Sequence, residues 1–190
     1  MRLVTYSAAC SLDGFIARKD GAVDWLHFSK EVSAFMTSYW KRIDTMLMGR
    51  KTWEIASAGS HGGGGGTGGI RTIVFSRTMT KPPHPKVQLV SAEAGAFVRE
   101  LKAQPGKDIC VMGGGDFARS LFEAGVIDEV GLNIHPVLLG SGIPLFLDPG
   151  RQTDLSLSEC RQLDGGCVLA IYRLREAVAK AKTRARRRAS

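Results

Sequence analysis

Two short stretches combine residue types that suit anion chemistry. In "MLMGRKTWE", residues 46–54, an apolar run ends at Gly49 and is followed by Arg50, Lys51 and Thr52. In "CVMGGGDFARSL", residues 110–121, a similar run ends in Gly113, Gly114 and Gly115, followed by Asp116 and Phe117. A helix start leaves backbone N–H groups unpaired, and its dipole favours negative charge. Glycines there let an anion approach the backbone, and a neighbouring Arg or Lys adds opposite charge. Thr52 and Asp116 are placed to cap the two helices. A third stretch, "IVFSRT", sets Ser76 and Arg77 just beyond a strand. The guanidinium fork there matches phosphate oxygens. Together the three turns suit a dinucleotide with a diphosphate and one extra phosphate. The spacing is neither G-x-G-x-x-G nor a Walker lysine motif. Taken alone, the triple glycine also fits a tight strand-to-helix turn with no ligand.

Ligands of open α/β sheets collect at the carboxyl ends of strands, so the elements matter. Apolar, β-branched or alternating runs predict strands over 3–9, 45–48, 72–75, 87–90, 108–112, 129–134, 155–162 and 168–174. Helical patterns cover 30–42, 52–56, 94–104 and 116–124. In the first helix Val32, Phe35, Met36, Tyr39 and Trp40 form one apolar face. Strands and helices alternate to about residue 134, which predicts an α/β layer with a mostly parallel central sheet and flanking helices. "LDGGC" between the last two strands reads as a turn, giving a C-terminal antiparallel hairpin.

The 190 residues suit one domain, here 1–174, followed by a basic tail, 175–190. Eight basic side chains in residues 173–190 face Glu176 alone, whereas the rest of the chain is close to neutral. The tail has no large apolar residue after Val178, so disorder or a frayed helix is expected. It either binds nucleic acid weakly through phosphate charge or only aids solubility. "MRLVTYSAAC" reads as a first strand rather than a signal peptide, and no stretch is long and apolar enough for a membrane span. The four cysteines have no CxxC pair or zinc spacing, so free buried thiols in a cytoplasmic setting and no metal are expected. The glycine-rich segment 58–70 is either a flap over a site or a slack insertion. Trp25, Phe28, Phe35 and Trp53 are candidates for an aromatic substrate wall, though each also suits a core. His135-Pro136 reads as a strand end.

The two glycine motifs, in this order and separation, resemble the cofactor turns of dihydrofolate reductases. "SLDGFIA", residues 11–17, is similar to the loop that covers the nicotinamide in those enzymes. "IDEVGLNIHPVLLGSGIPLF", residues 127–146, resembles the reductase domain of bifunctional riboflavin-biosynthesis deaminase-reductases and their stand-alone relatives. The resemblance covers about residues 1–174 and implies a dihydrofolate reductase-like fold with NADPH across the sheet edge. It implies phosphate contacts from Gly49, Arg50 and Thr52 with Lys51 beside them, and 2′-phosphate contacts from Ser76 and Arg77. It places the diphosphate at Gly113, Gly114 and Gly115, with Asp116 and Phe117 following. It sets Ala9, Gly14 and Ile16 at the nicotinamide, and it implies a cis peptide within the glycine triplet. Asp24 and Glu31 are the candidates for the substrate-side carboxylate. There is no H-x-E with a later P-C-x-x-C, so no zinc deaminase is expected. The implied activity is NADPH-dependent reduction of a small heterocycle or ribosylamino-pyrimidine by a homodimer. The loop "LGSGIPLF" then forms a substrate pocket or a dimer contact. True dihydrofolate reduction, or a non-catalytic nucleotide-binding module, are the alternatives.

Overall fold

The computed structural model describes residues 1–58, 69–147 and 152–175. Ten strands and four helices occur among them: β1 (Val4–Ser11), β2 (Phe15–Ala17), α1 (Lys30–Arg42), β3 (Ile43–Gly49), α2 (Arg50–Ala58), β4 (Arg71–Phe75), β5 (Val87–Val90), α3 (Ala94–Ala103), β6 (Asp108–Met112), α4 (Gly115–Glu123), β7 (Glu129–His135), β8 (Ile143–Pro144), β9 (Leu155–Leu163) and β10 (Cys167–Leu174). Eight strands form one sheet in the order β5-β4-β3-β6-β1-β7-β10-β9. Pairing from β5 to β7 is parallel throughout; β10 pairs antiparallel with both β7 and β9. The fold is therefore the expected mostly parallel α/β sheet ending in an antiparallel hairpin. The turn Asp164–Gly166 makes that hairpin, with Gly165 at φ +77°.

The alternation of side chains along the central strands divides the sheet into two faces. Val4, Tyr6, Ile109, Val111, Val130 and Leu132 face α3 and α4, where they pack with Val98, Leu101, Ala118 and Leu121. On the opposite face α1 lays Val32, Phe35 and Met36 against Leu163, Cys167 and Leu169. Next to it Trp53 of α2 packs with Met46, Met48 and Val74. Ser29 caps α1 by accepting from the Val32 N–H at 3.1 Å, and Glu93 caps α3 by accepting from Gly95 and Ala96. At the amino edge of the sheet, buried Arg2 binds Asp44, Thr45 and the Lys107 carbonyl.

Several expectations need correction. The helices after the glycine turns begin earlier than side-chain capping predicts: α2 at Arg50 and α4 at Gly115. Thr52 thus lies within the first turn of α2, and Asp116 within that of α4. A second small sheet of β2 and β8 also forms. Such short strands carry no periodicity to read; close backbone approach creates them, since a Cβ on Gly142 would overlap the carbonyl oxygen of Ala17. Cys10, Cys110 and Cys167 are buried free thiols, but Cys160 is exposed on β9, the edge strand. No described helix is long and apolar enough to cross a membrane. The tail beyond Arg175 and segment 59–68 lie outside the described residues.

Candidate functional site

β3 and β6 are neighbours, with Met48 opposite Met112, so Gly49 and Gly113 leave the sheet side by side. Gly113 (φ +52°) and Gly114 (φ +67°) adopt conformations that disfavour side chains. Thr52 lies directly against them: a Cβ on Gly113 would stand 2.8 Å from Thr52 Cγ2, and one on Gly114 would stand 3.0 Å from Thr52 Oγ1. Gly115 packs on Leu147, and a Cβ there would come within 2.9 Å of Leu147 Cγ. All described peptides are trans, so positive φ angles and this close packing, not a cis bond, explain the glycines.

The start of α4 differs from those of α1 and α3. Its cap residue is Gly114, which has no side chain to bond the first N–H groups, and Asp116 forms no such cap. The expected Asp116 cap fails because the glycine turn places Asp116 one residue inside the helix, where its carboxylate is exposed. The opening of α4 therefore presents N–H groups that no side chain caps, and this fits the oxygens of a diphosphate.

Basic side chains line the same edge. Arg50 pairs with Glu54 at 2.7 Å, and Lys51 and Arg77 are exposed. β4 neighbours β3, which brings Ser76 and Arg77 beside Gly49. Ser76 Oγ accepts from the N–H groups of Thr78 (3.2 Å) and Met79 (3.0 Å) and lies 3.3 Å from Thr78 Oγ1, so this side chain holds the turn. Phe117 stacks on Phe75 with ring centres 4.8 Å apart and lies against Gly49, whose missing side chain gives it room. It is a packing residue of this turn.

Further along the edge, Ala9 of β1 pairs with Asn133 of β7. The loop between β1 and β2 turns at Gly14 (φ +83°). Asp13 gathers it against the loop after β7, accepting from Ser11 Oγ (2.6 Å), Gly140 N–H (2.7 Å) and Leu139 N–H (3.1 Å). These bonds, that from Ser11 foremost, hold the Asp13 carboxyl below the usual carboxylate range. Leu145 N–H donates to the Gly14 carbonyl at 2.8 Å, completing the tie. Ile16 packs against the large core cluster on the α3/α4 side.

The proposed carboxylates and aromatics separate into different places. Asp24 pairs with Arg18 at 2.7 Å on the surface, and that hydrogen bond lowers its pKa. Glu31 accepts from the Asp164 N–H at 2.8 Å, tying α1 to the last hairpin. Both are committed to contacts within the chain. Trp53 is only 5% exposed and belongs to the core under α2, because its helical position faces β3 and β4. Phe28 is 60% exposed. Phe35 stacks on Tyr39 and lies beneath the Arg161 guanidinium, 5.5 Å from the ring centre. Trp25 meets His135 edge-on, ring centres 5.4 Å apart.

Sequence reasoning passed over a polar cluster on the α1 face at this end of the sheet. Ser7 Oγ and Tyr39 Oη are 2.7 Å apart beside Cys110, whose thiol burial pushes up to about 11. Next to them, Asn133 and His135 project from β7 toward Trp25, His27 and Cys167. His135 is 2% exposed, and burial, with His27 adding to it, lowers its pKa. The signal in the sequence was "GLNIHP": two polar residues spaced by two in an otherwise apolar strand share one face.

Comparison with known proteins agrees with this architecture. Residues 2–169 match the RibD C-terminal domain family. The uncharacterized proteins YyaP and YwjB of Bacillus subtilis (strain 168) are 31% and 32% identical, over 90% and 81% of this chain and 94% and 88% of their own lengths. Among solved structures, a putative riboflavin biosynthesis protein from Shewanella sp. PV-4 superimposes with a TM-score of 0.80 at 26% identity, covering 92% of this chain and 99% of that one. The diaminohydroxyphosphoribosylaminopyrimidine deaminase/5-amino-6-(5-phosphoribosylamino)uracil reductase of Thermotoga maritima shares the fold at TM-score 0.65 and 17% identity; the match covers 91% of this chain and 56% of that protein. With overall fold and sequence in agreement, the chain belongs to the RibD C-terminal domain family, the dihydrofolate reductase-like reductase domain of riboflavin-biosynthesis proteins.

Proposed function

We propose that this protein is an NADPH-dependent reductase that transfers a hydride to a small heterocycle of the ribosylamino-pyrimidine kind. The observation that carries the reading is the α4 start with no side-chain cap, set beside Thr52 and Gly49 on an edge lined by Arg50, Lys51 and Arg77. NADPH would supply the hydride from its nicotinamide ring. The N–H groups at the start of α4 hold the diphosphate, and Arg77 beside Ser76 reads the 2′-phosphate. Arg50 and Lys51 add charge at the start of α2. Ala9 leaves room at the edge of β1, and the loops joined through Asp13 limit the entry of water. Dihydrofolate reduction requires a carboxyl beside the substrate ring. Asp24 and Glu31 are held elsewhere, which favours the pyrimidine reading.

A homodimer in the cytoplasm, and a weak salt-sensitive contact of the basic tail with nucleic acid, complete the proposal. Light scattering after gel filtration tests the first, and nucleic-acid binding across a salt series tests the second. The function itself is tested by titrating NADPH against protein fluorescence, then following NADPH oxidation with 5-amino-6-(5-phosphoribosylamino)uracil. Saturable NADPH binding with turnover is expected. Binding without turnover of any pyrimidine or dihydrofolate would leave a nucleotide-binding module, and absence of NADPH binding would overturn the proposal. Tight methotrexate binding would favour dihydrofolate reduction.

A further inference from the structure

The polar cluster on β7 has a hydrogen-bond logic that fixes the direction of each group. The backbone N–H of His27 donates to His135 Nδ1 at 3.3 Å. A backbone N–H can only donate, so Nδ1 carries no proton. Cys167 Sγ lies 3.5 Å from the same nitrogen and can also donate to it. Neutral imidazole keeps one proton, which must then sit on Nε2. Burial favours this neutral form.

Nε2 lies 3.1 Å from Asn133 Nδ2, which would set two donors face to face. At the same time Asn133 Oδ1 is buried without a hydrogen-bond partner. Turning the amide by half a rotation resolves the first conflict, because amide oxygen and nitrogen are assigned from their partners. Oδ1 then accepts from Nε2–H, and the NH₂ group takes the buried unpartnered position. Trp25 Nε1, on the ring packed against His135, is likewise buried with no partner. Asn133 stands beside Ala9 in the register of β1 and β7, on the face covered by α1. A buried amide donor without a partner is costly unless something docks on it.

We infer that Asn133 is a specificity-determining residue whose amide NH₂, held in one orientation by His135, reads a carbonyl acceptor on the substrate ring. The inference rests on the reductase reading for the location of the substrate, and it adds which atom is read and by what. His135 is a positioning residue: it acts through Asn133. An Asp at 133 would keep the bond from Nε2–H and present an oxygen where the NH₂ stood, exchanging a donor for an acceptor.

Two measurements test this on the full-length protein. A long-range ¹H–¹⁵N spectrum of the histidines distinguishes the tautomers without any ligand, and the Nε2-protonated form is expected for His135. Calorimetric titration then compares 5,6-diaminouracil with 2,4,5,6-tetraaminopyrimidine, which replaces both carbonyl acceptors by amino donors. The wild type should prefer the diaminouracil by about tenfold or more, and Asn133→Asp should shift that ratio by a similar factor toward the tetraamine. Asn133→Ser, lacking the amide, should bring the ratio near one, and it serves if the Asp variant fails to fold. An Nδ1-protonated His135, an unchanged ratio in both variants, or no diaminouracil binding to the wild type would overturn the inference. NADPH titration is run separately. Diaminouracil binding that depends on Asn133 in a protein that ignores NADPH would sink the reductase reading and leave this one standing.

Discussion

Gly113→Ala tests what the glycine turn does for the chain itself. The new Cβ meets two costs. At φ +52° it enters the left-handed region, worth about 1–2 kcal/mol against a non-glycine residue. It also stands 2.8 Å from Thr52 Cγ2 and 3.1 Å from Thr52 Oγ1, so Thr52 or the turn must shift. Overpacking of this kind costs about 1–3 kcal/mol. The expected loss is the sum, about 2–5 kcal/mol, read as a lower urea midpoint at unchanged slope. Thr52→Ala removes both crowding atoms. In the double variant the packing cost should vanish while the backbone cost stays, giving a coupling of about 1–3 kcal/mol in a double-mutant cycle. If Gly113→Ala stays within about 0.5 kcal/mol of wild type, or if the two single effects simply add, Thr52 does not impose the glycine.

Arg77→Ala should weaken NADPH binding about tenfold or more and spare NADH, since one charge-assisted bond to the 2′-phosphate is lost; parallel titrations decide, and equal losses would contradict the assignment. His135 is held neutral with a lowered pKa, so its contribution to stability is full above about pH 6.5 and is lost as the pH falls and the unfolded chain takes up the proton first. Urea midpoints between about pH 7 and pH 5 should fall in the wild type, and His135→Gln should remove that component; the same slope in both proteins would show that other groups carry it. Gly142→Ala should disrupt the β2–β8 pair, because its Cβ overlaps the Ala17 carbonyl oxygen; faster hydrogen exchange at Ala17 and Ile143 is the readout, and unchanged protection there would refute it.

The framework could be read from the chain because local signals and tertiary packing agree. α1 begins after Ser29 and ends where β3 starts, and β5 and β6 fall on their apolar runs. The helix after Gly114 could not be placed by capping chemistry, because glycine geometry replaces the side-chain cap there. Trp53 and Phe117 show why aromatic residues near a motif mislead: each faces the sheet from its helix and is used in packing. Asn133 and His135 were visible as alternating polar residues. Their meaning depends on His27, Trp25 and Cys167, brought to them from both ends of the chain, and no spacing encodes that meeting.

The place of β1 in the sheet has a consequence for synthesis. It is made before the other strands of its sheet, yet its partners are β6 and β7, beginning with Val4 opposite Ile109 and Thr5 opposite Glu129. At about 5–20 residues per second, the ribosome needs roughly 5–20 s to deliver the first of them. Until then "VTYSAACS" is an apolar strand with two open edges, suited to capture by a chaperone or by another nascent chain. Ribosome-bound chains arrested before Met112 should therefore bind holdases through the unpaired β1 segment. Chains arrested well past Leu174 should release them as β1 closes the centre of the sheet.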